Sequence, residues 1–150
     1  MIRISTFSTV LLLATALGCS SSPDFSEDEV IAEAKTFMEA YATEISTGNA
    51  EAVAERYSRL GAYRMGNGRK EFNSYDSIRE GYIRRWDGRP QFKFEFQELS
   101  FEVLSSDAIL VAGKFEWSRG DSADALKMSY TGVLTRQDGE LRILLEDESR

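Results

Sequence analysis

The run Phe92-Lys93-Phe94-Glu95-Phe96-Gln97-Glu98-Leu99-Ser100-Phe101-Glu102-Val103 decides the fold of this chain. Its first half alternates aromatic and polar residues with the period of two of a half-buried strand, in which successive side chains point to opposite faces. Its second half also alternates, at Leu99, Phe101 and Val103, but on the other parity. Phe94 and Phe101 lie an odd number of residues apart, so an unbroken strand cannot keep both on one face. A β-bulge near Gln97-Glu98 resolves the conflict by inserting one extra residue, and it bends the strand as it does so. A long strand bent in its middle belongs to a curved sheet.

Working outward, Ile109, Val111, Phe115 and Trp117 mark the next strand, with Gly113 as its bend point. Leu126, Met128 and Tyr130 mark another, and Leu141, Ile143 and Leu145 a last one. Asp138-Gly139 is the two-residue hairpin signal between those two. On the N-terminal side, Tyr75, Ile78, Tyr82 and Trp86 fall on one side of a helix broken by Asp87-Gly88-Arg89-Pro90. Ala62–Met65 and a second short strand ending near Phe72 flank the tight turn Gly66-Asn67-Gly68. Earlier still, Ser26-x-x-Glu29 forms a capping box, and Phe25 with Val30 occupies the positions of a hydrophobic staple. Val30, Ala34, Phe37, Met38, Tyr41 and Ile45 then follow the 3.6 period of a half-buried helix. Gly48 ends that helix, and Asn49 caps a second one carrying Val53, Tyr57 and Leu60, closed by Gly61. Helices grouped ahead of long strands imply one α+β domain over residues 26–150, with the helices on one side of a curved antiparallel sheet.

Residues 1–18 have a different character. A basic start at Met1-Ile2-Arg3, an apolar stretch from Val10 to Leu17 and the small Gly18 are the parts of an exported leader. Ser5, Thr6, Ser8 and Thr9 leave the apolar core short of the roughly 20 residues that span a membrane. Cys19 is the single cysteine of the chain, so an exported form has no internal disulfide. The end of this leader resembles the lipobox of bacterial lipoproteins, with Ala16 where that family favours Leu and Leu17 where it favours a small residue. The resemblance implies cleavage after residue 18, acyl chains on Cys19 as the membrane attachment, and a polar tether over residues 19–25. It also implies residence in the cell envelope, and Ser20 after the cysteine resembles the outer-membrane choice, facing the periplasm. A plain signal peptide that happens to hold a cysteine, or an uncleaved anchor helix, are the alternatives.

The formal net charge of −7 argues against nucleic acid, whose binding rests on Lys and Arg neutralising phosphates. The chain holds no histidine. His-based triads, the common zinc sets and the usual near-neutral acid–base group are therefore excluded, and no metal or cofactor is expected.

Phe37-Met38-Glu39-Ala40-Tyr41 followed by Gly48-Asn49-Ala50-Glu51-Ala52-Val53 is similar to the opening helices of the nuclear-transport-factor-2-like superfamily. Asp138-Gly139-Glu140-Leu141-Arg142-Ile143 resembles its closing strand, with Leu141 in place of a frequent Trp. The resemblance implies a cone-shaped sheet packed on three N-terminal helices, with a pocket between its concave face and the helices. Members include SnoaL-like polyketide cyclases, ketosteroid isomerase, scytalone dehydratase and domains with no known reaction, so the fold leaves function open. In many members histidines follow the closing "R-I"; here the run is Leu144-Leu145-Glu146-Asp147-Glu148-Ser149. Simple alternation puts Asp147 on the face of Leu141, Ile143 and Leu145, as a pocket carboxylate.

The aromatic residues Tyr57, Tyr63, Trp86, Phe94, Trp117 and Tyr130 either line a cavity for a flat or apolar ligand or fill a small core. Tyr57 and Tyr63 fit a pocket best, because a buried phenol needs a hydrogen-bond partner. Asp76 suits the start of the third helix, where the macrodipole favours a carboxylate. Arg79, Arg84, Arg85 and Arg89 either hold an acidic ligand or form a solvated face with Glu80 and Asp87. Two functions follow. One is a lipid-anchored ligand-binding or protein-interaction domain without catalysis, open to a homodimer through the sheet. The other is a cyclase or isomerase using Asp147 and a Tyr donor.

Overall fold

The computed structural model describes residues 26–86, 92–119 and 124–150. The leader, Cys19, the tether, Phe25 of the staple and the Asp87–Pro90 break lie outside the described residues. Helix α1 (Glu27–Ser46) starts where the capping box places it, with Ser26 Oγ accepting from the Glu29 amide at 3.4 Å. All six of its periodic apolar residues are buried. Helix α2 (Ala50–Glu55) is capped by Asn49, whose Oδ1 accepts from the Ala52 amide at 3.1 Å. It is shorter than its pattern suggested. Tyr57 leaves the helix to form a parallel bridge with Ile143, and Leu60 is 82% exposed.

Strands β1 (Ala62–Gly66) and β2 (Arg69–Asn73) are joined by Asn67-Gly68, with φ of 49° and 79°. Positive φ at both central residues is the type I′ geometry that matches strand twist. Helix α3 (Tyr75–Trp86) buries Ile78 and Tyr82. Then come β3 (Phe92–Ser105), β4 (Ala108–Arg119), β5 (Leu126–Gln137) and β6 (Glu140–Ser149), the last two joined at Asp138-Gly139 with φ of 52° and 85°.

The six strands form one sheet in the order β2-β1-β6-β5-β4-β3. One junction departs from an all-antiparallel sheet: β1 and β6 run parallel. Helix α3 carries the chain from β2 to the far edge at β3, and the meander back brings β6 beside β1 in the same direction. The core fills the space between the helices and the sheet, around Tyr41, Tyr57, Ile109, Val111, Leu134 and Ile143. Among the described residues no helix is long and apolar enough to cross a membrane.

Besides a register shift at Leu104 beside the β3–β4 turn, two bulges lie within the long strands and shape the concave face. In β3, Gln97 pairs with Lys114 and Ser100 with Ala112, so Glu98 and Leu99 together oppose Gly113, and Glu98 takes a φ of 53°. The expected bulge is present at its expected place. Gly113 is its complement: a Cβ there would meet Leu99 Cδ2 at 2.8 Å and the carbonyl oxygens of Gln97 and Glu98 at 3.0 Å. The second bulge lies in β6. Val133 pairs with Leu145 but Leu134 with Ile143, which leaves Leu144 as the extra residue. Beyond Leu144 the inward parity reverses, and this places the site.

Candidate functional site

Because of the Leu144 bulge, Glu146 turns inward and is buried, with 1% of its surface exposed. An isolated buried carboxylate is costly, so its partners decide whether it is tolerated. The parallel pairing sets Arg64 of β1 directly beside it, and Arg64 Nε donates to Glu146 Oε1 at 2.8 Å. The chain after α2 is clamped to β6 by Ser58 N to Ile143 O at 3.0 Å and Ile143 N to Arg56 O at 2.7 Å. That clamp positions Tyr57, whose hydroxyl donates to Glu146 Oε1 at 2.6 Å. Tyr41 of α1 donates to Oε2 at 3.2 Å and lies 2.9 Å from the Tyr57 hydroxyl. Tyr57 spends its single proton on Glu146, so Tyr82 of α3 is the donor in the 2.8 Å contact between their hydroxyls.

The electrostatics of this hub keep its phenols protonated. Burial first, and then the Glu146 charge, push Tyr41 and Tyr57 well above the usual phenol range and Tyr82 up to about 12. Burial works against the Arg64 charge, but the Glu146 carboxylate at 2.8 Å outweighs it, so Arg64 stays cationic.

Glu148, two residues further on the same face, reaches a cavity of ≈ 330 Å³. Its apolar wall comes from Trp86 of α3, Phe92 and Phe94 of β3, and Phe115 and Trp117 of β4. Phe92 stacks on Trp117 at 5.5 Å between centroids and lies 5.7 Å from Trp86, giving a slot faced with rings. Tyr82, Arg64, Arg85, Arg119 and Glu148 supply polar groups to the same space. Burial and the neighbouring Glu146 raise the Glu148 carboxyl to about 7, against the opposing pull of Arg64 and Arg85. At neutral pH Glu148 therefore populates both its acid and its base form. Among the described residues no three Cys, Asp or Glu side chains gather as a metal set.

The sequence-derived candidates separate into groups. Trp86, Phe94 and Trp117 line the cavity. Tyr57 lies beside it in the hub, fully buried. Tyr130 packs on Phe96 at 5.0 Å, and its buried hydroxyl has no partner among the described residues. Tyr63 faces the other way: it is 39% exposed, packs on Phe72 at 5.0 Å and carries Lys70 over its ring. Asp147 does not face the cavity. The Leu144 bulge shifts the parity by one, so Glu146 and Glu148 take the inward positions, and Asp147 instead accepts from the Ser149 hydroxyl. Arg79 is held by Glu51 of α2 at 2.5–2.8 Å, and Arg89 lies outside the described residues. Tyr41, Arg64, Tyr82, Glu146 and Glu148 were not among the sequence candidates. The signal that could have found the two glutamates is the doublet Leu144-Leu145, which breaks alternation much as Phe96 to Leu99 does.

The family model of the SnoaL-like domain matches residues 34–149. This chain belongs to the SnoaL-like domain family. No curated protein matches it. Solved structures similar to this SnoaL-like domain include an NTF2-like protein of unknown function from Shewanella oneidensis MR-1, 17% identical at a TM-score of 0.67, covering 81% of this chain and 99% of that one. A second, from Pseudomonas putida KT2440 and also of unknown function, is 13% identical at a TM-score of 0.71, covering 81% and 87%. A third is Aln2 from a Streptomyces species, 18% identical at a TM-score of 0.68, covering 85% and 94%. At such identities the likeness establishes the shared NTF2-like α+β fold, with its curved sheet packed on helices.

Proposed function

We propose that this SnoaL-like domain binds a small planar, apolar molecule in the ring-faced cavity, and that acyl chains on Cys19 hold it at the cell envelope. The observation that carries the binding reading is the slot of Trp86, Phe92 and Trp117 opening onto Glu148 and Tyr82. Apolar walls with a few convergent polar groups are the usual make-up of a small-molecule site. The attachment rests on Cys19 and the leader before it. Full-length protein made in a Gram-negative host is expected in the membrane fraction, lacking residues 1–18 and carrying the mass of acyl chains. Cys19→Ser recovered to the same extent in that fraction would remove the attachment.

One observation favours a second reading, acid–base catalysis. Glu148, rather than Asp147, is the cavity carboxylate, and a carboxyl titrating at about 7 is matched to proton transfer at neutral pH. Arg64, whose Nε alone is taken by Glu146, shares its cavity as a donor. Deuterium exchange at the carbon next to the carbonyl of a planar ketone such as 2-tetralone separates the two readings. A binding domain gives the buffer rate. A catalyst exceeds it, and loses the excess in Glu148→Gln.

A further inference from the structure

The ring-faced cavity adjoins a second, polar space. A groove of ≈ 820 Å³ lies between the β1–β2 hairpin and α3, and it shares Arg64, Arg85, Met128 and Glu148 with the aromatic cavity. The four shared side chains border both spaces, so a ring in the slot and a group in the groove are neighbours across them.

The groove is distinguished by its cations. Five arginines elsewhere are taken by carboxylates, Arg56 by Glu44, Arg59 by Glu55, Arg79 by Glu51, Arg136 by Glu33 and Arg142 by Glu140. Arg119 of the aromatic cavity lies over the Trp117 ring, with no carboxylate within ion-pair distance among the described residues. Arg69, Arg84 and Arg85, which line the groove, have no carboxylate within ion-pair distance among the described residues. Arg84 and Arg85 close the last turn of α3, where the macrodipole favours cations. Arg69 sits at the start of β2 and has no such reason to be there. Glu146 is neutralised by Arg64, so apart from Glu148 the three arginines share the groove with a single carboxylate, Glu71. In a chain of net charge −7, a groove with a surplus of unpaired guanidinium groups selects for an anion.

Resting on the small-molecule reading above, we infer that the ligand is a planar aromatic carboxylate. Its ring occupies the Trp86–Phe92–Trp117 slot, and its carboxylate is held in the groove by Arg69, Arg84 and Arg85. The guanidinium fork matches a carboxylate in two parallel hydrogen bonds, which is the fit these side chains offer.

The test is a matched pair, 2-naphthoate and 2-naphthamide, titrated calorimetrically into the full-length protein. They share the ring and differ in charge. The acid should bind about ten-fold or more tighter than the amide, the scale of one charge-assisted hydrogen bond. Replacing Arg69 and Arg84, which line the groove but not the ring-faced cavity, by Gln together should remove most of that preference and leave the amide affinity unchanged. The single variant Arg69→Gln, in the exposed hairpin, should reduce it if the double variant does not fold. Equal binding of acid and amide by the parent would overturn the anion site while leaving the cavity reading intact. So would an equal loss of both ligands in Arg69→Gln. Failure of both compounds to bind the parent would overturn the cavity reading and this inference together.

Discussion

Glu148→Gln should flatten the dependence of stability on pH between about 4.5 and about 7. In the folded domain the Glu148 carboxyl is raised from 4.5 to about 7, chiefly by burial and secondarily by Glu146, with Arg64 and Arg85 opposing. A carboxyl raised on folding binds its proton more tightly in the native state. Its contribution is therefore fully present below 4.5 and is lost as pH rises through about 7. At about 1.4 kcal/mol per pH unit the full displacement corresponds to about 3 kcal/mol. Glu148 keeps some contact with solvent, so about 1–3 kcal/mol is the working range. Glutamine mimics the protonated form and cannot ionise, so the loss should vanish in the variant. Urea unfolding of parent and variant across this window checks the sign and the size. Stability of Glu148→Gln relative to the parent should increase with pH and level off above the window. Parallel curves would show that Glu148 titrates as an ordinary surface carboxyl and that its placement in the cavity is wrong.

Three further outcomes follow from the same geometry. Glu146→Ala strips the carboxylate from Arg64, Tyr41 and Tyr57 and should cost about 3–5 kcal/mol in urea unfolding, while Arg64→Leu combined with Glu146→Leu should recover most of it. Gly113→Ala sets a methyl group against two backbone carbonyls of the β3 bulge and should cost about 1–3 kcal/mol, read as a lowered Tm. Trp117→Ala should weaken binding of a planar aromatic ligand by about ten-fold or more, whereas Tyr63→Ala, on the exposed face, should leave that affinity unchanged in the same titration.

Much of the architecture was legible from local pattern, because the residues concerned satisfy several rules at once. Val30 to Ile45 repeats with the helix period behind a capping box, and every periodic position is buried. Asn67-Gly68 and Asp138-Gly139 demand positive φ at successive residues and take it. The β3 bulge was visible because phenylalanines stand on either side of the parity change, so a shift of one residue alters which face is apolar. The β6 bulge was hidden by its composition. Ile143, Leu144 and Leu145 are all apolar, so either parity satisfies the core, and the acids that follow then fall in or out by one position. Asp147 was the inward residue for an unbroken strand, and Glu146 and Glu148 are inward once Leu144 is extra. The hub was harder still to see. Tyr41, Tyr57, Arg64 and Tyr82 come from four separate segments; the parallel placement of β1 on β6 brings Arg64 to Glu146, the clamp of the segment after α2 on β6 brings Tyr57 there, and Tyr82 joins through Tyr57.

The claim that the ring-faced cavity receives a planar ligand has a direct optical test. The chain holds two tryptophans, Trp86 and Trp117, and both line that cavity. All tryptophan emission of the full-length protein therefore reports from its walls. Titration with 2-naphthamide, corrected against free tryptophan amide for absorption by the ligand, should change that emission along a saturable curve, and Phe94→Ala should move its midpoint to higher concentration. Emission that follows the free-tryptophan reference at every ligand concentration would contradict the account.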